Sequence, residues 1–168
     1  MAAGTQISLE EYLRTSFDGP DREFVDGSIL ERNVGDNFHS EAQINLGGFF
    51  HLARKRLPLH ARPELRVQVA PRRYRVIDLA VFAGERPAER VPSSPPLIAV
   101  EILSPDDAFA DVRDKFEDYR RWGVTHIWLV DPGARKLYVY AAGGLSETPA
   151  FQVPEFGLEI SAAEIFDS

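Results

Sequence analysis

Residues Leu97–Leu103 read LIAVEIL, a run that is apolar on both faces apart from Glu101. Such a run is typical of a central β-strand that other elements cover on both sides. A second apolar run, Val76–Phe82, reads VIDLAVF and is interrupted in the same way by Asp78. Strands of this kind require packing partners on both faces, and the rest of the chain must supply them.

Helices and further strands are predicted around these two runs. Ser8 and Glu11 form the capping-box pattern that begins a short helix, and Asp26-Gly27 between two short runs predicts a β-hairpin. Apolar residues at three- and four-residue steps predict amphipathic helices. One helix covers Asn37 to about Arg56, and another covers Phe109 to Gly123 with Phe109, Val112, Phe116 and Tyr119 buried. The predicted strands are Leu65–Ala70, Arg75–Phe82, His126–Val130 and Lys136–Tyr140. An edge strand over Phe151–Val153 and a helical turn over Ser161–Phe166 follow. This order predicts an α/β or α+β domain with one mixed β-sheet.

The composition is that of an ordinary folded protein, and it excludes several kinds of site. The chain has 168 residues and a formal net charge of −7, with 44% hydrophobic and 27% charged residues. It contains no cysteine, which excludes a disulfide scaffold, a thiolate nucleophile and a zinc site built on Cys. No run approaches the ~20 apolar residues of a membrane span, and the N-terminus lacks the features of a signal peptide. We therefore expect one cytoplasmic domain that does not enter a membrane.

The charge is distributed unevenly along the chain. Residues 50–90 carry a net charge of +6, whereas residues 1–49 and 91–168 carry −6 and −7. The basic segment is compatible with solvated arginines at helix ends and loops, or with a strip that faces phosphate groups. The acidic balance elsewhere is compatible with carboxylates gathered around a metal ion.

Asp78 and Glu101 are acids at positions where the strand pattern predicts burial. By the two-residue alternation of a strand, Asp78 shares a face with Ala80 and Phe82, and Glu101 shares a face with Ala99. A buried carboxylate must be paired, hydrogen-bonded, bound to a metal or neutralised by a raised pKa. Each acid alone is compatible with a strand end or a salt bridge. Together on neighbouring strands they point to a site for a hard cation, and Mg²⁺ needs only one or two carboxylates besides water and phosphate.

Three further side chains are candidates for the same site. Lys115 lies at the edge of the apolar stripe of its helix, so its ammonium can reach back over the sheet, although Asp111 one turn earlier offers an ordinary surface pair. Glu23 precedes an apolar dipeptide on the first hairpin strand and is either a fourth member of the site or a surface strand residue. His39 near the start of the second helix is more typical of an N-terminal turn than of a catalyst.

A succession of motifs runs through most of the chain. The motifs are Glu23–Gly27, His39 at the start of a helix, Ile77–Val81, Pro96–Pro105, Asp111–Val124 with Lys115 and Tyr119 at four-residue steps, and Ile127–Pro132. This succession resembles the Uma2 family of restriction-endonuclease-like proteins, a branch of the PD-(D/E)XK nuclease superfamily. The resemblance covers about Glu10 to Tyr140.

The resemblance implies a single PD-(D/E)XK-like nuclease domain over residues 1–168, with a central mixed β-sheet flanked by helices and preceded by a helix and a β-hairpin. It implies Asp78 as the Asp of the superfamily's Pro-Asp pair and Glu101 as the acid of its acid-x-Lys element. It also implies a role for Glu23, which matches an early acid of the family.

Two positions depart from the superfamily pattern. Ile77 stands where the Pro of the Pro-Asp pair would be, and that Pro performs no chemistry. Leu103 stands where the lysine of the acid-x-Lys element would be. The family moves that lysine onto the following helix, and Lys115 fills the place here.

The first functional hypothesis is therefore a Mg²⁺-dependent endonuclease that hydrolyses DNA, with Mn²⁺ as a possible substitute. Asp78 and Glu101 hold the metal together with the carbonyl of Ile102, Lys115 positions water or stabilises charge on the phosphorus, and Glu23 supports the site. The residues expected to hold the DNA backbone are Arg54, Lys55, Arg72, Arg73 and Arg75. A homodimer is expected from the resemblance and from an apolar C-terminal tail taken to be exposed.

Two rival hypotheses stay open at this point. The same fold is compatible with a catalytically inactive DNA-binding or protein-interaction module in which the acids and Lys115 survive as a buried ion network. A hydrolase of small phosphoesters is also compatible, since such an enzyme needs no basic strip.

Overall fold

The computed structural model describes residues 6–167, which form a β-sheet with helices on both faces. The element order mixes strands and helices, as the sequence predicts. The elements are α1 (Leu9–Arg14), β1 (Glu23–Val25), β2 (Ser28–Leu30), α2 (Asn37–Ala53), β3 (Leu59–Ala70), β4 (Arg73–Ala83), β5 (Ile98–Ile102), α3 (Phe109–Trp122), β6 (His126–Asp131), β7 (Lys136–Ala141), β8 (Gly144–Thr148), β9 (Ala150–Val153), β10 (Leu158–Ser161) and α4 (Ala162–Phe166), with a 3-10 turn over Pro154–Phe156.

The main sheet is mixed, which confirms the predicted α+β architecture. Its strands follow the order β2-β1-β4-β5-β6-β7-β8, and β3 pairs with β4 alone. β5 and β6 are parallel, and the other neighbouring strands are antiparallel. The parallel step requires a crossover, and α3 supplies it. This crossover places α3 across one face of the central strands.

Two hydrophobic cores lie on opposite faces of the sheet. On one face, α3 packs through Val112, Phe116 and Tyr119. The other face is covered by α2, α4 and the small β9-β10 sheet, and here Phe151 stacks on Trp128 with ring centroids 4.2 Å apart. The C-terminal tail is therefore buried rather than exposed, so it gives no support to the predicted dimer.

Local sequence signals fix several element boundaries as predicted. Ser8 caps α1 by accepting a hydrogen bond from the Glu11 backbone N–H. Asp26 and Gly27 have φ angles of 50° and 102°, as a tight hairpin turn requires. Gly123 ends α3 with a φ angle of 106°, a left-handed conformation that favours glycine.

Other boundaries differ from the prediction. β3 begins at Leu59 rather than Leu65 and tolerates Pro63 because it is an edge strand. β8 and β10 were not predicted, and Phe151–Val153 pairs with β10 rather than with the main sheet. The prediction that Phe109 is buried is wrong: it is the first residue of α3 and remains 60% exposed.

The strand pairing along one edge of β4 is interrupted. β3 pairs with β4 along nearly its whole length, so β1 and β5 must share the other edge of β4. On that edge β1 pairs with Arg73–Tyr74 and β5 pairs with Leu79–Val81. Between these two segments, no strand among the described residues pairs with that edge over residues 75–78. Backbone groups there must find side-chain partners, since unpaired buried peptide groups are costly.

Candidate active site

Side chains from two other elements complete the interrupted ladder of β4. Glu23 of β1 accepts a 3.0 Å hydrogen bond from the Val76 N–H, and Lys115 of α3 donates a 2.9 Å hydrogen bond to the Val76 carbonyl. Asp78 itself accepts a 2.8 Å hydrogen bond from the Ile102 N–H at the end of β5. The gap between β1 and β5 therefore collects the four residues predicted as the site: Glu23, Asp78, Glu101 and Lys115.

Lys115 is the cation at the centre of this cluster. Its Nζ lies 2.5 Å from Glu101 Oε2 and 3.1 Å from Glu23 Oε1. The helix position predicted from the apolar stripe is correct, because the ammonium points over the sheet. It pairs there with these two acids and not with Asp111 on its own helix.

Asp78 is surrounded by cationic and donor groups. Arg32 Nη2 lies 2.6 Å from Asp78 Oδ1, and the same guanidinium bonds Glu64 at 2.6 Å through Nη1. His39 Nε2 lies 3.5 Å from Asp78 Oδ2. His39 is both a first-turn residue of α2, with its N–H bonded to Asp36, and a neighbour of the site.

Glu101 has two donors and an unusual proton affinity. Tyr119 donates a 2.7 Å hydrogen bond to Oε1, while Lys115 occupies Oε2. Burial raises the pKa of Glu101 to about 7, the charge of Asp78 adds to the rise, and Lys115 opposes it. Asp78 raises the pKa of Glu101 because a neighbouring negative charge opposes ionisation of a carboxyl group, and Lys115 lowers the pKa of both acids.

The other members of the site keep their ordinary charges. Burial opposes ionisation of Asp78, but His39, Lys115 and Arg32 outweigh it and hold the pKa below its usual value. Burial likewise opposes the charge on Glu23, yet Lys115 and Arg75 lower its pKa. Burial disfavours the Lys115 ammonium, but Glu101, Glu23 and Asp78 raise its pKa, so it stays protonated at neutral pH.

Arg75 does not fit the predicted role of a DNA contact. It is only 4% exposed, and it bonds Glu23 at 2.9 Å and Asp118 at 2.8 Å. This enclosure favours a structural role for Arg75 over a contact with a DNA backbone. Arg73 is more open, but it is held by Asp26 and Asp118 at 2.7 Å each. We therefore assign Arg75 to the support of Glu23.

The remaining predicted DNA contacts do not form one strip. Arg72 lies in the turn before β4, at the beginning of that strand. Arg54 and Lys55 follow α2 and lie a few residues before Leu59, which pairs with Ala83 at the other end of β4. The two groups are separated by the length of β4, ~30 Å at 3.3 Å per residue. All three side chains are exposed, so each remains available to a partner, but not as a continuous surface.

The site opens into a cleft of about 1110 Å³. Nine acidic and five basic side chains line it, so the wall is acidic. The loop after β2 lines the cleft, and its Asn33 Nδ2 donates a 2.8 Å hydrogen bond to Asp107 Oδ1 on the loop after β5. An acidic wall repels a bare phosphate backbone and attracts a cation.

The donor set fits a hard divalent cation such as Mg²⁺. Asp78 and Glu101 offer carboxylate oxygens, and the Ile102 carbonyl is the nearest main-chain oxygen in sequence. Among residues 6–167, no three His, Asp or Glu side chains form a ready-made metal cage. A bound ion would therefore depend on two carboxylates, main-chain oxygen and water, which is the ligation that Mg²⁺ ordinarily uses.

Sequence patterns missed four polar residues at this site. Arg32 and Glu64 form the outer bridge to Asp78, while Asp118 and Tyr119 hold Arg75 and Glu101. Arg32 lies in a loop, and Glu64 lies inside β3 with a φ angle of 47° that departs from the strand pattern. Tyr119 was assigned to the apolar stripe, and its hydroxyl is the part that the pattern does not reveal.

Comparison with known proteins supports the resemblance drawn from the motifs. Residues 9–166 match the model of the family Uma2, described as a putative restriction endonuclease. The fold is similar to the crystal structure of a putative nuclease belonging to DUF820 from Anabaena variabilis ATCC 29413, with a TM-score of 0.82 and 24% sequence identity over 96% of this chain and 98% of that chain. No curated protein matches the chain. Because the family model spans all of the elements described above, the chain belongs to the Uma2 family of putative restriction endonucleases.

Proposed function

We propose that this protein is a divalent-metal-dependent endonuclease that hydrolyses phosphodiester bonds in DNA. The observation that carries the proposal is the meeting of two buried carboxylates from adjacent strands with one protonated lysine at the edge of an open cleft. Family membership supports a nuclease, and the acidic cleft supports a cation between the protein and the phosphates. No helix among the described residues is both long and apolar enough to cross a membrane, and a cytoplasmic location stays a prediction.

Each site residue has a distinct part in this proposal. Asp78 and Glu101, with the Ile102 carbonyl, would hold Mg²⁺ or Mn²⁺. When bound, such an ion lowers the pKa of its water and polarises the scissile phosphate. Lys115 presents its ammonium to the phosphate oxygens or to the attacking water, and charge-assisted donors of this kind stabilise developing negative charge. Glu23 is a positioning residue, because it fixes Lys115 and the Val76 N–H.

The metal requirement tests the proposal directly. The full chain is expected to cut plasmid DNA with Mg²⁺ or Mn²⁺ and to stop when EDTA is added. Glu101→Gln is expected to lose this cleavage and to bind Mn²⁺ at least ~10-fold more weakly by calorimetry, since the amide carries no charge. Glu85→Gln, an exposed substitution of the same kind, serves as the control. Wild-type protein that binds neither ion at millimolar concentration would contradict the proposal.

An inactive module is the second candidate, and one observation favours it. Among the described residues, no buried side-chain nitrogen or oxygen lacks a hydrogen-bond partner. The network around Lys115 is therefore complete without any ion and is compatible with a purely structural role. Wild-type protein that binds DNA without cutting it under any metal condition is the result expected of such a module.

Arg32 should compete with any cation that Asp78 binds. Its guanidinium already lies 2.6 Å from Asp78 Oδ1, so an incoming ion must displace or repel it. Arg32→Met is expected to raise Mn²⁺ affinity by ~10-fold, because a unit charge at this distance is removed. Calorimetric titration measures the change, with the exposed Arg113→Met as control. A fall in affinity would mean instead that Arg32 holds Asp78 in its binding conformation.

A further inference from the structure

The outer face of α2, together with the turn that follows it, carries five residues that are symmetrically spaced about Gly48. Glu41, Ile44, Gly48, Leu52 and Lys55 are separated by steps of three, four, four and three residues. At ~100° per residue Glu41, Ile44 and Leu52 lie within about 40° of Gly48 on the helix surface. Lys55 follows in the turn after α2, where its N–H donates a 3.2 Å hydrogen bond to the Leu52 carbonyl. Ile44 is 70% exposed and Leu52 is 63% exposed. Exposing two large apolar side chains to water on one face is unfavourable, and such patches often mark interaction sites.

Gly48 marks the middle of this face and has no role inside the chain. A Cβ built on Gly47 would lie 3.9 Å from Leu79 Cδ1, an ordinary contact distance on the side of α2 that faces β4. A Cβ on Gly48 would meet nothing within 4 Å. Glycine in a helix costs roughly 1 kcal/mol relative to alanine. Contacts within the chain do not require glycine at position 48, whereas a close approach by a second helix would.

We propose that this face is the interface with a second copy of the chain, in which two α2 helices pack antiparallel and cross at Gly48. Reversing the helix about Gly48 places Ile44 opposite Leu52 and Glu41 opposite Lys55. The same face thus complements itself in shape and in charge, which is the requirement of a two-fold symmetric contact. Glu41 and Lys55 are ~21 Å apart along one helix, too far to pair within one chain.

The proposal does not depend on the nuclease function. None of the five residues lines the cleft. The proposed dimer assigns Lys55 to a contact with protein instead of the predicted contact with DNA. A contact built from one helix pair is small, and we expect dissociation constants in the micromolar range.

Charge exchange tests the pairing. Glu41→Lys places a lysine opposite Lys55 of the other copy, and Lys55→Glu places a glutamate opposite Glu41. Each variant should therefore dimerise at least ~10-fold more weakly than wild type, because like charges then face each other. When the two variants are mixed, the heterodimer has opposite charges facing each other at both ends of the contact. The average mass of the mixture should therefore return towards that of wild type. Sedimentation velocity at up to ~100 µM follows all four samples.

A cross-link gives a second measurement, because the chain has no cysteine of its own. Gly48→Cys should form a disulfide-linked dimer under mild oxidation, since the two-fold contact brings the two positions together. Ser146→Cys, on exposed β8, should not. A wild-type monomer at every concentration, or single-charge variants that dimerise like wild type, would overturn the proposal.

Discussion

The Asp78→Asn variant is expected to lose metal-dependent DNA cleavage by at least ~10³-fold, because a metal ligand contributes several kcal/mol to the transition state. Asparagine keeps the size of the side chain and one acceptor oxygen for the Ile102 N–H. It removes the charge that faces Arg32 and any divalent ion. Plasmid cleavage gives the rate, and Mn²⁺ titration gives the affinity independently of catalysis.

The fold of this variant should survive. Arg32 retains Glu64 as a partner, so the free energy of unfolding should fall by only ~1–3 kcal/mol. Asp18→Asn, an exposed substitution of the same chemistry, should leave both activity and stability unchanged. Full cleavage by Asp78→Asn would remove Asp78 from the metal site and leave it as a structural anion.

The sequence was informative about the site wherever a periodic pattern made a charged residue conspicuous. Asp78 and Glu101 stand out because two-residue alternation predicts that they are buried. Lys115 stands out because helical geometry turns it towards the sheet. In each of these three cases the local pattern determines where the side chain points, and a single sequence contains that pattern.

The rest of the site depends on contacts between distant segments. Arg32 reaches Asp78 across 46 positions, and Arg75 reaches Asp118 across 43. Neither partner can be chosen from spacing, because many acids are available in an acidic chain. The prediction that Arg75 contacts DNA came from a count of arginines along the chain, and such a count does not distinguish a solvated cation from an enclosed one.

The interrupted pairing of β4 also depends on contacts between distant segments, which the sequence pattern does not reveal. Hydrophobic patterning predicted most of the strands, but not that β1 and β5 share one edge of β4 and leave residues 75–78 between them. That gap is what makes Glu23 and Lys115 necessary, because they supply the hydrogen bonds of the missing strand. The candidate site and the defect in the sheet are therefore one feature.

Arg75→Met should be among the most destabilising single substitutions in the protein. Methionine fills much of the same volume but leaves Glu23 and Asp118 without the guanidinium that lies between them. Breaking a buried ion pair from one side costs ~3–5 kcal/mol, which lowers the melting temperature of a chain of this size by about 10 °C. Urea unfolding followed by circular dichroism measures the loss, and the exposed Arg86→Met is the matched control.

The partners of Arg75 allow the cause of that loss to be separated from simple repacking. Lys115 still neutralises Glu23, whereas Asp118 is left with Arg73 alone. Adding Asp118→Asn to Arg75→Met should therefore recover part of the lost stability, because the second change removes a buried charge that only Arg73 would still neutralise. If Arg75 instead contacted phosphates, Arg75→Met would weaken DNA binding and leave the free energy of unfolding unchanged. That result would return Arg75 to the DNA interface and remove it from the support of Glu23.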